Sequence, residues 1–547
     1  MSASRINLEN SGTNPGRELD AVVVGAGFSG LYMLHRLRDV LGLEVRVYEA
    51  GDGVGGTWYW NRYPGARCDS ESFYYSYSFS EELEQEWEWT SKYPAQPEIL
   101  RYLEHVADRF DLGRDIQFGT RVTDAAFNET NDRWEITTGT GERISAQFFI
   151  SAVGCLSAAN VPEFEGLDRF EGSWYHTGAW PHDGVDFTDK RVGLVGTGST
   201  GIQAAPVIAE EARHLTVFQR TPNFSTPARN GPLTPARSKE IKQNYSEIRR
   251  LTRETDGGFP YHPSERSALD FSREERNAIY EELWEEGGFK FMWGSFHDVL
   301  RDKAANDTAA DFIRGKIRET VKDPKTVEML MPTDHPYGSK RPPIDTNYFE
   351  TYNRDNVALV DVRRSPIVEI TSKGLRTEDA DYDLDIIVFA TGFDAMTGAL
   401  LRIDVRGAAG LALAEKWEAG PRTYLALQIA GFPNFFTITG PGSPSVLSNM
   451  PVSIEQHVEW ISDCIVHMRE KGHTRIEATT EAEDAWVEHV NEVATMTLFP
   501  QANSWYPGAN FPGKARVFTP YAGGLPSYRE RCDEVAGNNY EGFVLNP

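Results

Sequence analysis

Cysteine, positive charge and long apolar runs are what this sequence has least of. Its four cysteines, Cys68, Cys155, Cys464 and Cys532, stand far apart in a chain of 547 residues. They offer no close pair, no zinc-ligand spacing and no disulfide framework, which suits a reducing cytosol. Lys and Arg number 55 against 81 Asp and Glu, a net charge of −26 with His neutral. A field of that sign repels nucleic acid and anionic membrane surfaces, so neither is expected as a partner. No apolar stretch approaches the roughly 18 residues that span a bilayer. Residues 1–20 are polar and lack the apolar core of a signal peptide, so a loose arm on a cytoplasmic protein is expected.

The composition that remains is globular, 25% charged and 40% hydrophobic. Single cores stop growing at roughly 250–300 residues, so the chain must contain at least two domains.

A partial internal duplication says what they are. Ala21-Val-Val-Val-Gly25-Ala-Gly27-Phe-Ser-Gly30 is a buried-strand run entering a glycine turn. An apolar helical pattern follows at Leu31, Leu34, Leu37 and Leu41, and a second strand, Val45–Glu49, closes the unit. The same order returns in Arg191-Val-Gly-Leu-Val-Gly196-Thr197-Gly198-Ser199-Thr200-Gly201, a helix through Ile202 and Ala209, and a strand Leu215–Gln219. One such motif is weak evidence. Two, each framed by strand, helix and strand, point to two dinucleotide-binding domains. Glycine allows the tight turn and the close approach of backbone to pyrophosphate, and the helix N-terminus receives the negative charge.

The second strand of each unit discriminates the ligands. Glu49, 24 positions after Gly25, is placed to accept hydrogen bonds from ribose hydroxyls and would repel a 2′-phosphate. The second unit has Gln219-Arg220-Thr221 there, with no acid; an Arg fork and a hydroxyl suit a 2′-phosphate. FAD is therefore expected in the first unit and NADPH in the second, with a plain surface arginine as the alternative for Arg220. A disulfide reductase would need paired cysteines beside the flavin, so an oxygenase leads.

Two further patterns name a family. Phe170-Glu-Gly172-Ser-Trp-Tyr-His176-Thr-Gly-Ala-Trp180-Pro181 stands just before the second glycine loop and matches FxGxxxHxxxW[PD]. Gly55-Gly56-Thr57-Trp58-Tyr-Trp-Asn-Arg-Tyr63-Pro64-Gly65-Ala-Arg-Cys-Asp69 matches [AG]GxWxxxx[FY]P[GM]xxxD. With the Ala390-Thr391-Gly392 turn, the Lys340-Arg341 pair and the late Trp505-Tyr506, the chain resembles the type I Baeyer–Villiger monooxygenases from Asp20 onward. Within them it resembles the phenylacetone and steroid branch, on the loop Gly440–Met450.

That resemblance implies an α/β fold of two Rossmann-like domains, for FAD and NADP, with a helical insertion. It also implies a reaction: one oxygen atom of O2 enters beside a ketone carbonyl, through a C4a-peroxyflavin, to give an ester or lactone. Arg341 matches the active-site arginine and Asp69 the carboxylate that orients it. Lys340 matches a contact of the 2′-phosphate, Trp505 one of the NADP ribose, and Trp58 a flavin contact. His176 matches a hinge histidine rather than a base. Gly56, Thr57, Thr391 and Gly392 fall in cofactor loops, and Ser445, Val446, Leu447 and Met450 in the substrate loop. The domains are expected as 1–150 and 391–547 for FAD, 151–225 and 331–390 for NADP, and 226–330 for the insertion, which is charge-rich and without strand-like runs. A helix capped by Ser453-Ile-Glu-Gln456, with Ile454, Val458, Ile461, Ile465 and Met468 on one face, is expected near the end. The rival reading is a flavin-containing monooxygenase that oxidises amines or sulfides; its fingerprint lacks the Trp180-Pro181 ending.

Overall fold

The computed structural model describes residues 17–511 and 513–547. Strand β1 (Arg17–Val24) runs into the first glycine turn and helix α1 (Phe28–Leu34) runs out of it. Residues 17–20, expected as part of a loose arm, are thus already strand; the rest of that arm lies outside the described residues. Every residue of α1 is buried, but the helix then widens into a π-helical stretch over His35–Val40, of which only Leu37 is buried. Strand β2 (Val45–Tyr48) pairs with β1 in parallel.

Strands β3 (Ile116–Gln117), β4 (Val122–Asn128), β5 (Arg133–Thr138) and β6 (Arg143–Ser151) complete the first part of this sheet. β6 lies beside β1 in parallel, from Arg17↔Ile144 to Val24↔Ser151, and β5 and β4 follow in antiparallel order. Phe148, Phe149 and Ile150 are all buried, so both faces of the strand are covered and the run must be apolar throughout.

The second sheet is parallel throughout. It contains β7 (Ser173–His176), β8 (Arg191–Val195), β9 (His214–Gln219), β10 (Val357–Asp361) and β11 (Ile386–Phe389), in the order β10-β9-β8-β11-β7. Helix α2 (Ser199–Glu211) connects β8 to β9 and leaves the second glycine turn. Between β9 and β10 the chain departs into helices at Pro235–Gln243, Tyr245–Glu254, Arg273–Glu286, Lys290–Trp293, Lys303–Thr320 and Pro324–Leu330. Arg249, in the second of these, is buried and donates to Glu84 Oε1 at 2.6 Å and Ser76 Oγ at 2.8 Å, fastening the insertion to the first unit.

The chain then returns to the first sheet: β12 (Asp404–Arg406) pairs with β4 and β13 (Phe435–Thr437) with the end of β6. Helix α3 (Met450–Lys471) lies against α1. It starts at Met450 rather than at Ser453, and the expected capping box does not form. Pro451 occupies its first turn, where the missing N–H is no loss. Ser453 sits inside the helix, bonded through its hydroxyl to Ser448 Oγ at 2.7 Å, and both polar atoms of the Gln456 amide lack partners. The expected apolar face, Ile454 to Met468, is buried. No helix of the described residues is long and apolar enough to cross a membrane.

Candidate active site

The two glycine turns share one geometry. A Cβ on Gly30 would stand 1.7 Å from Gly25 O, and a Cβ on Gly201 would stand 2.1 Å from Gly196 O. Nothing but glycine fits either place, because the helix must press on the turn before it. Neither α1 nor α2 has a side-chain cap at its N-terminus, so the first N–H groups of each face the loop unclaimed. Beside the first turn, Glu49 is buried and bridges two backbone donors: Oε2 accepts from Ala26 N and Oε1 from Gly51 N, both at 2.7 Å. Burial pushes its carboxyl above the ordinary range, against the pull of those N–H groups.

The Gly55–Asp69 motif spans the seam between the two units. Gly56 lies on Gly27, Trp58 Nε1 donates to Tyr75 Oη at 3.2 Å, and Thr57 keeps an exposed side chain. Tyr63 Oη donates to Gln203 Oε1 on α2 at 2.7 Å, and Gln203 Nε2 donates back to Arg67 O at 3.1 Å.

At the end of that motif, Asp69 meets Arg341 from 272 positions away. Arg341 Nε and Nη2 donate to the same Asp69 oxygen, at 3.0 and 2.8 Å, and Nη1 donates to Val446 O at 2.8 Å. The guanidinium lies over the ring of Phe289, 4.8 Å from its centre. Burial opposes the charge of Arg341, but Asp69, Tyr506 and Cys68 together hold the group above its ordinary range. A guanidinium has five N–H donors. Three are engaged here, so one on each terminal nitrogen is left for an anionic oxygen.

The flavin-binding monooxygenase-like family matches residues 19–225. A Baeyer–Villiger monooxygenase of Pseudooceanicola batsensis is 47% identical over 541 residues, covering 98% of each chain. Oxidised steroid monooxygenase bound to NADP superposes with a TM-score of 0.93 at 56% identity, over 97% of this chain and 99% of that one. The structure of OTEMO with FAD and NADP gives 0.94 at 46% identity, over 97% and 100%.

The chain belongs to the Baeyer–Villiger monooxygenases. Its cofactors are FAD and NADPH. The unclaimed helix N-termini and the glycine cradles of this Baeyer–Villiger monooxygenase fit both pyrophosphates. Gly198 leaves open space beside the second turn, where a Cβ would meet nothing within 4 Å.

The other expected site residues fall into three groups. Arg220 is exposed and Lys340 half-buried, and their charges act on each other. Burial, then Arg220 and Arg363, pull the Lys340 ammonium below its ordinary range, against Asp334. Two neighbouring cations of this kind suit a phosphate. Thr221 accepts from Thr197 Oγ1 through its carbonyl at 3.1 Å, and Ser199 and Thr200 open α2. Gln219, by contrast, is turned inward: its amide donates to Met329 O at 2.8 Å and its Oε1 is left without a partner.

The fingerprint histidine and the Thr391-Gly392 turn form one unit. His176 Nδ1 accepts from Gly178 N at 3.0 Å, so its proton resides on Nε2, which faces Thr391 Oγ1 at 3.2 Å. Thr391 Oγ1 donates in turn to Asn160 O at 2.6 Å. Burial holds the His176 imidazole below its ordinary range, and so neutral. This is a brace between the fingerprint, the turn and the connecting segment, with no free nitrogen for proton transfer.

Ser445, Val446 and Leu447 form a buried 3-10 turn, and Met450 opens α3 half-buried. Trp505 is half-buried and packs on Tyr506, with ring centres 4.5 Å apart. Sequence reasoning missed three parts of the arginine's surroundings: the ring of Phe289, the carbonyl of Val446 and the hydroxyl of Tyr506. Burial pushes the Tyr506 phenol up to about 12, and Arg341 pulls it back. The Trp505-Tyr506 pair was the available signal for the last of these.

Proposed function

We propose that residues 1–150 and 391–547 hold FAD, that 151–225 and 331–390 hold NADPH, and that Arg341 between them drives oxygen insertion into a ketone. The enzyme takes a ketone, O2, NADPH and a proton, and gives an ester or lactone, water and NADP⁺. FAD, when bound, passes the electrons of NADPH to O2 and so supplies the activated oxygen. Everything else falls to the chain's own residues.

Arg341 holds negative charge on the reacting oxygens. It never surrenders its proton at working pH, so it stabilises an oxyanion without quenching the nucleophile. Asp69, Val446 O and Phe289 fix its plane, so no reorganisation is needed as charge develops. Asp69 is a positioning residue. Glu49 and the turn Gly25, Gly27, Gly30 hold the FAD ribose and pyrophosphate, with Gly56, Thr57 and Trp58 closing over it. The turn Gly196–Gly201 holds the NADP pyrophosphate, and Arg220, Thr221 and Lys340 take the 2′-phosphate. Thr391, Gly392 and Trp505 line the seam where the cofactors meet. Four buried free thiols suit work in a reducing cytosol.

The observation that carries this reading is the half-buried Asp69–Arg341–Val446 clamp, standing where the Gly55–Asp69 motif meets α2. A panel of cyclic, aryl and aliphatic ketones, followed by NADPH oxidation and product mass, tests it. At least one ketone should gain 16 mass units in step with NADPH consumed. Hydrogen peroxide matching NADPH with every ketone, or oxygenation of amines and sulfides alone, would overturn it.

A further inference from the structure

In the parallel sheet of the second unit, the carboxyl ends of β9 and its edge neighbour β10 lie side by side. Asp361 pairs with Gln219, and Val362 N donates to Gln219 O at 2.9 Å. The residues that leave the two strands are therefore neighbours: Arg220 and Thr221 from β9, Arg363 and Arg364 from β10. Nucleotides bind beyond the carboxyl ends of such strands, so a base at the end of β10 stands on the ligand side of the sheet.

The loop that brings Lys340 meets the same place. It leaves the insertion helix Pro324–Leu330 and carries Asp334 before Lys340. Arg363 Nη1 donates to Asp334 Oδ2 at 3.2 Å, and Arg363 Nε lies 3.5 Å from Asp361 Oδ1. The other Asp334 oxygen accepts from His335 Nδ1 at 2.7 Å. Burial resists the charge of Asp334, but His335, Lys340 and Arg363 hold its carboxyl below the ordinary range. Arg220 and Arg363 both act on the Lys340 ammonium, so the three cations share one neighbourhood.

The grip on Arg363 leaves it usable. Two of its nitrogens face acids, while Nη2 has no hydrogen-bond partner among the described residues. The Arg363 and Asp334 side chains are 44% and 41% exposed, and such a pair is worth at most about 1 kcal/mol. It aims the guanidinium more than it neutralises it. Arg364, the next residue, is turned elsewhere: it is 70% exposed and reaches Glu328 Oε1, on the insertion helix, at 3.3 Å.

We propose that Arg363 is a third cation of the nucleotide site and lays its open Nη2 edge on the 2′-phosphate of NADPH, beside Arg220 and Lys340. The proposal rests on the reading of Arg220, Thr221 and Lys340 as the 2′-phosphate site and adds a specificity residue to it. A phosphate monoester offers several strong acceptor oxygens, more than one fork and one ammonium need cover. A planar fork already held along its other edge meets them with little further loss of freedom.

Isothermal titration calorimetry of the FAD-loaded enzyme with 2′,5′-ADP and with 5′-AMP tests this, since the two ligands differ only in the phosphate concerned. Arg363 is exposed, so its variants should fold and keep FAD. Arg363→Ala should raise the Kd for 2′,5′-ADP about fivefold or more and leave that for 5′-AMP within about twofold. Arg364→Ala removes the same charge one residue further on and should move the Kd for 2′,5′-ADP by less than about twofold. An equal loss for both ligands would make Arg363 a structural residue. An equal loss from both arginine variants would make it part of a diffuse field, and no loss would put it outside the site. Each of these overturns the proposal. A parent enzyme that binds 2′,5′-ADP no tighter than 5′-AMP, or an Arg220→Ala variant that keeps the preference, would instead overturn the phosphate pocket on which it rests.

Discussion

Arg341 keeps its charge among three fixed partners, and two of its N–H groups remain free. Replacing it should therefore separate two halves of the cycle. In Arg341→Ala, reduction of bound FAD by NADPH should stay within a few-fold of the parent, because hydride transfer needs no oxyanion donor. Ester formation should fall by at least about 100-fold, the usual loss when a preorganised donor is removed. Stopped-flow flavin absorbance and product mass check the two halves, and retained ketone oxygenation would remove Arg341 from the mechanism. Arg220 acts at another distance. Arg220→Ala should raise the Kd for NADPH about tenfold or more and leave that for NADH unchanged, since a charge-assisted bond contributes about 1.5–3 kcal/mol. Titration with both nucleotides decides it, and an unchanged preference would move the phosphate site elsewhere. At this scale Glu49 and Arg220 were expected from their offsets to the two glycine turns, and Arg341 only from the family resemblance; the structure brings Arg341 onto Asp69. Phe289 and the Val446 carbonyl were not, because a ring or a carbonyl of any residue can stand there and only the fold aims it.

The brace His176–Thr391–Asn160 belongs to the scale of elements, since it joins the end of β7 to the turn after β11. Thr391→Val would leave the His176 Nε2–H buried without an acceptor, which costs about 1–3 kcal/mol. The melting temperature should drop, and Thr391→Ser should restore it by returning the hydroxyl. A variant as stable as the parent would show that the bond contributes nothing. Elements were legible where pattern and local chemistry agree: both strand–glycine–helix units came from a continuous apolar run, turn glycines and the helical period that follows. The start of α3 was misjudged at Ser453. An S-x-x-Q spacing fits a cap in isolation, but Pro451 is better placed in a first turn, and Ser453 found Ser448 instead. The π-helical stretch after α1 had no sequence signal, since His35–Val40 carries neither proline nor glycine.

Across the whole molecule, the net charge of −26 lies over buried groups that titrate in opposite senses. Burial, aided by Arg529, pulls the His457 imidazole down to about 3; its Nδ1 accepts from Thr439 N and its Nε2 faces Tyr528 Oη. The unfolded chain takes up this proton near pH 6.5 and the folded one does not, so stability is full above that pH and is lost as pH falls toward 3. Asp345 works the other way. Burial pushes it up to about 6, so the fold gains relative stability as pH drops from there toward 4. Between pH 7.5 and 5 the His457 contribution amounts to about 2 kcal/mol. His457→Gln should lose about that much less stability than the parent over the interval, by denaturant titration at both pH values. Parallel pH profiles for the two proteins would show that His457 is not held neutral.

The sequence by itself determined the two dinucleotide units, the acid that marks one and the basic stretch that marks the other, the fingerprint, and with them the reaction class. These features live within about 30 residues of chain, where spacing alone sets which groups share a turn, a strand end or a helix start. Only the tertiary structure decided what surrounds the arginine, where α3 begins, that Gln219 faces inward, and that Arg363 leaves the strand beside that of Arg220. The arginine's surroundings rest on contacts between segments as remote as Asp69, Phe289, Arg341 and Val446, and no local rule orders such segments in space. The packing of the insertion against the two units does.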